Sequence, residues 1–432
     1  MDPQSQAVLE HLQHVQESPI PVNANLVDSY IPSITPSTVS PAYLQSFIPA
    51  INQVLYSKDY ASVDPGSYVL QLLQRILSLL SFSQILDYYP PEFILESIAS
   101  PDNVQALKLC LEIILLKYSE AETTTFLVKN NLLHLLVQQY LTNKSLDIAI
   151  VSQIESLVQS IVLDDTPLRA ILAEPDFDLL YNQIRFKDID TTLLARLLDY
   201  LLLLLPYVPG LNPQLYNFTY EELVDIGNED PLFSVIVVLF YLNVLKEILR
   251  NELSKVYQTI KPTLTELTKL YNSEAEDFTK SEIISVLAQL SYMYPKDAAE
   301  LLEGSQILKT YNLIKVYEYH ELDIKLLSTL NPEVIVRVNE SIYDDVLDGL
   351  SLLNNNKYLS ILLNFIKCKS IFERFTSVYF QNALLSRLSI DKLLTIILEF
   401  SFHPHSKSYL FNNLPNIINN VLIDESGTRF GN

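Results

Sequence analysis

Apolar residues recur along this chain at helical spacing, and the spacing itself repeats. Leu107, Val151, Ala195, Leu239, Ile283 and Leu327 stand 44 residues apart. Three positions on, Cys110, Ile154, Leu198, Leu242, Val286 and Leu330 keep the same step. Each pair of columns has the i, i+3 spacing of one helix face. The pattern predicts second helices of successive helix pairs at 102–117, 146–162, 190–205, 231–249, 279–293 and 322–330. Past Leu330 the register weakens, since Ile371 keeps it and Arg374 does not. Terminal repeats are expected to be atypical.

A period of roughly 40–47 residues is that of HEAT or armadillo repeats. The fold expected is therefore all-α: an α-solenoid, one right-handed superhelix of helix pairs. Each repeat buries its apolar face against its neighbours, and the stack leaves a concave surface for a partner. The organisation expected is an N-terminal helix and Pro-rich arm over 1–40, a single solenoid over 41–425 and a tail over 426–432. Val8, Leu9, Leu12 and Val15 make residues 4–17 an amphipathic helix. Pro19, Pro21, Pro32 and Pro36 make 18–40 an extended linker or surface-bound arm. Asp102 and Asn103, then Asn143 and Ser145, then Asp188 and Asp190 stand where second helices open. Such side chains accept the unpaired first N–H groups of a helix. Shorter first helices are read at Leu132–Leu141, Asp178–Ile184 and Thr219–Ile226. Pro206–Pro213 is the strongest break in the middle of the chain, and Pro262 predicts a kink in a helix over 254–272.

Composition agrees with helices. There are only 7 glycines in 432 residues, too few for the tight turns of phosphate-binding loops. The net charge of −22 disfavours direct contact with nucleic acid or anionic membrane. It suits a basic partner, and it also keeps an apolar solenoid soluble. Cys110 and Cys368 make no disulfide framework and read as small core residues. The N-terminus lacks the basic start and apolar core of a signal peptide. The apolar run Leu232–Leu242 is shorter than the roughly 18–20 residues that cross a bilayer. A cytoplasmic or nuclear protein is expected.

Candidate chemistry is sparse. His403 and His405 flank a proline, but a structural zinc site needs four ligands and neither cysteine is near in sequence. Asp164-Asp165 and Asp344-Asp345 read as helix-boundary acids. Nucleophile elbow, P-loop, dinucleotide and zinc-protease motifs are absent. No catalysis, cofactor or metal is expected. One polar column stands out: the register of Leu111 gives Glu155, Asp199 and Asn243 at successive steps. These residues either form a ladder along one face or satisfy helix ends locally. The partner-binding positions expected on the second helices are Glu112, Glu155, Arg196, Asp199, Asn243, Glu247 and Arg250.

Three segments carry a resemblance. They are Leu197-Leu198-Asp199-Tyr200-Leu201, Phe218-Thr219-x-Glu221-Glu222, and Ser406-Lys407-x-x-Leu410-x-x-x-Leu414-Pro415. In their order and spacing, from about residue 65 to 425, the chain resembles the fungal HEAT-repeat chaperones that assemble the base of the proteasome regulatory particle. That family is also named for a mismatch-repair and spontaneous-mutagenesis phenotype. The first 60 residues match it poorly. The resemblance implies a protein that grips the C-terminal small domain of the first regulatory-particle triple-A ATPase on its concave side. It implies escort of that subunit into the base with a second ATPase and a large non-ATPase scaffold subunit, and release before the holoenzyme is complete. Any mismatch-repair role would be indirect. A monomer when free is expected. An armadillo-like adaptor for another protein or peptide would share all of the periodicity.

Overall fold

The computed structural model describes residues 2–17, 20–57, 59–100, 103–164, 167–172, 174–187, 190–208, 210–343 and 349–419. The described residues are helices joined by short turns, and no strand occurs among them. The chain divides into two compact units, Met1–Leu215 and Tyr216–Asn432. The boundary falls just past the break Pro206–Pro213.

In the first unit, Pro41–Leu55, Tyr68–Ser78, Val104–Lys117, Ile148–Leu163 and Thr191–Leu204 pack each on the next as a layer of second helices. Pro91–Ala99, Leu132–Thr142 and Pro175–Phe186 form the layer of first helices. The second unit repeats the plan. Its second helices are Pro231–Asn251, Asp277–Met293, Glu321–Thr329, Asn356–Ile366 and Ile390–Phe402. Its first helices are Tyr220–Glu229, Ser254–Tyr271, Pro295–Ser305 and Pro332–Val338. Each unit is thus an all-α solenoid stack, and the six expected second helices all occur within a few residues of their predicted bounds.

The repeating columns mark the seam between layers. Cys110, Ile154, Leu198, Val286 and Leu330 are buried. Pro231–Asn251 departs from the register: Leu239 is exposed, while Val237, Tyr241, Val244 and Ile248 are buried. The buried face there lies one or two residues earlier than the 44-residue step predicts, in the helix that follows the break between units. Ile148, read as part of an apolar face, is 82% exposed because it opens its helix.

The caps follow the expected chemistry with one change. The side chains of Asn103 and Asp190 accept backbone N–H bonds at their helix starts. The cap of Ile148–Leu163 is Asp147, not Asn143 or Ser145. Asn143 instead ends the preceding helix. Asp102, Asp165, Asp188, Asp344, Asp345 and the 426–432 tail lie outside the described residues.

The arm is not extended throughout. Ala24–Tyr30 is a helix capped by Asn23, and Val27, Tyr30 and Ile34 are buried in one cluster with Val8, Leu12, Phe47 and Leu72. Its prolines stand outside that helix, which leaves its backbone bonds intact. Ser254–Tyr271 runs on through Pro262. Pro231–Asn251 has 21 residues, and an 18-residue window within it has a mean hydropathy of 2.1, long and apolar enough to cross a membrane, unlike the run Leu232–Leu242 alone. Half of that apolar window is buried within the protein, as in a core helix.

Candidate protein-binding face

The polar positions expected to meet a partner fall on second helices of both units. In the first, Glu112, Glu155 and Asp199 lie on Val104–Lys117, Ile148–Leu163 and Thr191–Leu204, three helices that pack in succession. Leu111, which heads the column of Glu155 and Asp199, is fully buried, and the polar residue beside it is Glu112, one position off that column. Gln153 Nε2 donates to Glu112 Oε2 over 3.3 Å, which links the first two of these helices. Burial pushes the Glu112 carboxyl above its ordinary value, and the Gln153 bond offsets part of that shift.

Glu155 is half-buried and lies 2.8 Å from the Tyr140 hydroxyl, which donates to it. The same hydroxyl is 3.1 Å from the Arg196 carbonyl, and its one proton serves one acceptor at a time. Burial first, and then the Glu155 charge, hold the Tyr140 hydroxyl well above the usual phenol range. Asp199 is exposed, yet desolvation by the neighbouring helices and then the nearby Glu155 charge push its carboxyl up to about 6. A carboxylate disfavoured in this way is stabilised when a cation arrives.

Arg196 faces inward instead. Its guanidinium donates to the carbonyls of Tyr140 at 3.1 Å and Asn143 at 2.7 Å, and it lies over the Tyr140 ring. These carbonyls end the Leu132–Thr142 helix, where a cation also meets the negative end of the helix dipole. Arg196 therefore ties one repeat to the one before it.

In the second unit, Asn243, Glu247 and Arg250 share one face of Pro231–Asn251. Lys246 donates to Asn243 Oδ1 over 3.3 Å, and Arg250 pairs with Glu247 at 2.8 Å. Asn251 adds a 3.0 Å bond to Glu247. These are ion pairs and hydrogen bonds within one helix, and Leu232, Ile236 and Leu239 stand exposed beside them. Sequence reasoning missed that apolar stripe, because the 44-residue register assigned Leu239 to the core.

The helix starts carry cross-repeat charge pairs. Lys108 holds Asp147 at 3.1 Å and Lys144 holds Asp190 at 2.7 Å, so each lysine lowers the pKa of the next repeat's capping aspartate. The histidine pair is used locally. His403 Nε2 lies 3.0 Å from Glu399 Oε1, and His405 Nε2 donates to the Ile366 carbonyl over 2.7 Å. Among the described residues, no group of three His, Cys, Asp or Glu side chains is placed to hold a metal ion. Both cysteines are buried and free, and burial raises the Cys110 thiol to about 12.

The architecture defines an all-α helix-pair repeat protein. Two family models match it: "DNA mismatch repair protein HSM3, N terminal domain" over residues 6–246, and the corresponding C terminal domain over 253–429. The chain belongs to the HSM3 family. A relative named DNA mismatch repair protein HSM3 in Scheffersomyces stipitis is 40% identical over 441 residues, covering all of this chain and 86% of the relative. The protein of the same name in Candida albicans is 38% identical, covering 99% of this chain and 88% of its own length. The one in Eremothecium gossypii is 23% identical, covering 88% and 77%. The similarity thus includes the first 60 residues, which on the sequence segments alone match poorly.

Proposed function

We propose that this protein is a non-catalytic assembly chaperone. On this reading it holds the C-terminal small domain of a proteasomal triple-A ATPase, the first ATPase of the regulatory-particle base, against the open side of its second-helix layer. A second ATPase and a large non-ATPase subunit complete the module. The chaperone leaves before the holoenzyme is finished, and it works in the cytoplasm or the nucleus without cofactor or metal.

The observation that carries this reading is the Glu112–Glu155–Asp199 ladder across three packed helices, with Asp199 ionised against its surroundings. A basic patch on a compact helical domain would relieve that charge and fix the register of docking. Glu155 is held by Tyr140, so Asp199 is the cleaner rung to change. Asp199→Lys should weaken ATPase small-domain binding by roughly 2–5 kcal/mol if the pair is buried at the interface, and Glu155→Lys with Asp199→Lys by more. Calorimetry with the purified ATPase domain measures this. Unchanged affinity with intact helicity would assign the ladder to a non-binding face.

The relatives' printed name favours a second reading, participation in DNA mismatch repair. The charge of −22 speaks against direct contact with phosphates, so the link would run through assembled protein complexes. Affinity purification from fungal extract separates the readings: ATPase base subunits support the first, and repair proteins without them support the second.

A further inference from the structure

A cavity of about 320 Å³ lies within the second unit, where Tyr220–Glu229, Pro231–Asn251, Ser254–Tyr271 and Asp277–Met293 come together. Leu223, Val224 and Leu270 give it an apolar floor. Glu274 and Glu276 stand at its rim, on the turn that joins the last two of those helices. Its size falls at the small end of the range for ligand pockets and admits an aromatic ring.

One wall is the backbone of Gly227, in the last turn of the Tyr220–Glu229 helix. Glycine at a helical position is less favourable than alanine, by up to about 0.5–1 kcal/mol in a helix interior. No backbone constraint calls for it, since Gly210 is the only described glycine with positive φ. No clash calls for it either: a Cβ at Gly227 would meet Ser234 Oγ at 3.8 Å and Ser234 Cβ at 4.0 Å, ordinary contact distances. What glycine preserves at this position is open volume in the cavity wall.

The rim gives the occupant's charge. Glu274 and Glu276 are exposed and form no ion pair among the described residues, and the cavity lining contains no lysine or arginine. We propose that this cavity docks a single aromatic side chain from a protein segment that carries lysine or arginine on either side of it. The ring fills the space beside Gly227, and the flanking cations meet Glu274 and Glu276. A desolvated aromatic anchor ringed by charge is the usual form of a binding hot spot. The site is separate from the Glu112–Glu155–Asp199 ladder and does not depend on it.

Saturation-transfer NMR on the full chain tests this with two synthetic pentapeptides: phenylalanine between two lysine pairs, and alanine in its place. The phenylalanine peptide should show transfer to its ring, and the alanine peptide should bind about ten-fold more weakly or not at all. Gly227→Leu should reduce binding of the first peptide about ten-fold or more while leaving the thermal midpoint equal or higher. Gly227→Ala, which the contact distances admit, should weaken it about two- to five-fold and carries the test if the leucine variant misfolds. Glu274→Gln with Glu276→Gln should weaken binding and reduce its salt dependence. Equal binding of both peptides overturns the proposal, and so does wild-type affinity in both Gly227 variants. Equal affinity for a phenylalanine peptide flanked by glycines would make the cavity a general apolar site. Self-association of the wild type that Gly227→Leu abolishes would assign the cavity to a second copy of the chain.

Discussion

Asp199 gives the residue scale its sharpest test. Its folded pKa is about 6, above the ordinary carboxylate value of 3.8. Between those values the folded chain binds the proton that the unfolded chain has already released. This group's contribution to stability therefore improves as pH falls from 7 toward 4 and worsens as it rises again. Asp199→Asn should raise the thermal midpoint at pH 7.5 and lose that advantage near pH 4.5, as circular dichroism melts would show. Asp147 and Asp190 act with the opposite sign. Their pKa values are lowered by Lys108 and Lys144, so their contribution is present above the ordinary range and lost in acid. Arg196→Met strips its charged donors from the Tyr140 and Asn143 carbonyls and should cost about 1.5–3 kcal/mol in urea unfolding. A cost near zero would return Arg196 to the partner-facing set. Glu155 and Asp199 were legible in the sequence because a polar side chain on an apolar column is a local anomaly, whereas Asn243, the next step of that column, falls in the second unit. The inward turn of Arg196 was not, because its acceptors are carbonyls 53 and 56 residues earlier in the chain.

At the scale of elements, second helices were readable because each exposes one face and buries the other, which fixes a period. Short elements gave less signal. Ala24–Tyr30 has too few residues for periodicity to outweigh the prolines around it. The cavity beside Gly227 was also hidden, since it depends on how four helices meet. One segment behind the family resemblance has a plain physical meaning: Phe218-Thr219-x-Glu221-Glu222 contains a capping box. The Thr219 side chain accepts from the Glu222 N–H, and Glu222 accepts from the Thr219 N–H at 2.9 Å. Thr219→Ala should cost about 1 kcal/mol and speed amide exchange in Tyr220–Glu229 before it does so elsewhere. Uniform exchange across the unit would show that packing alone fixes that helix. Asn364, buried on Asn356–Ile366, donates to the carbonyls of Leu327 at 2.9 Å and Leu330 at 2.7 Å. Asn364→Leu leaves both acceptors unpaired and should cost about 1–3 kcal/mol by chemical denaturation.

At the scale of the whole molecule, each unit has its own two layers, so residues 1–215 and 216–432 expressed separately should each give a helical spectrum and a cooperative melt. A featureless melt of either would show that its core is incomplete alone. One series of long bonds between repeats shares a direction, although Asn217 and Asn272 donate the other way, to the Thr259 and Ser305 carbonyls. Lys117 donates back to the Ser78 carbonyl, Arg196 to Tyr140 and Asn143, Lys325 to Ser281, Asn364 to Leu327 and Leu330, and His405 to Ile366. In each, the later repeat supplies the side-chain donor and the earlier repeat supplies a backbone acceptor. A ribosome delivers the chain in that same order. For these bonds the later repeat emerges to find its acceptors already built. These bonds can therefore form in the order of synthesis, one helix pair at a time.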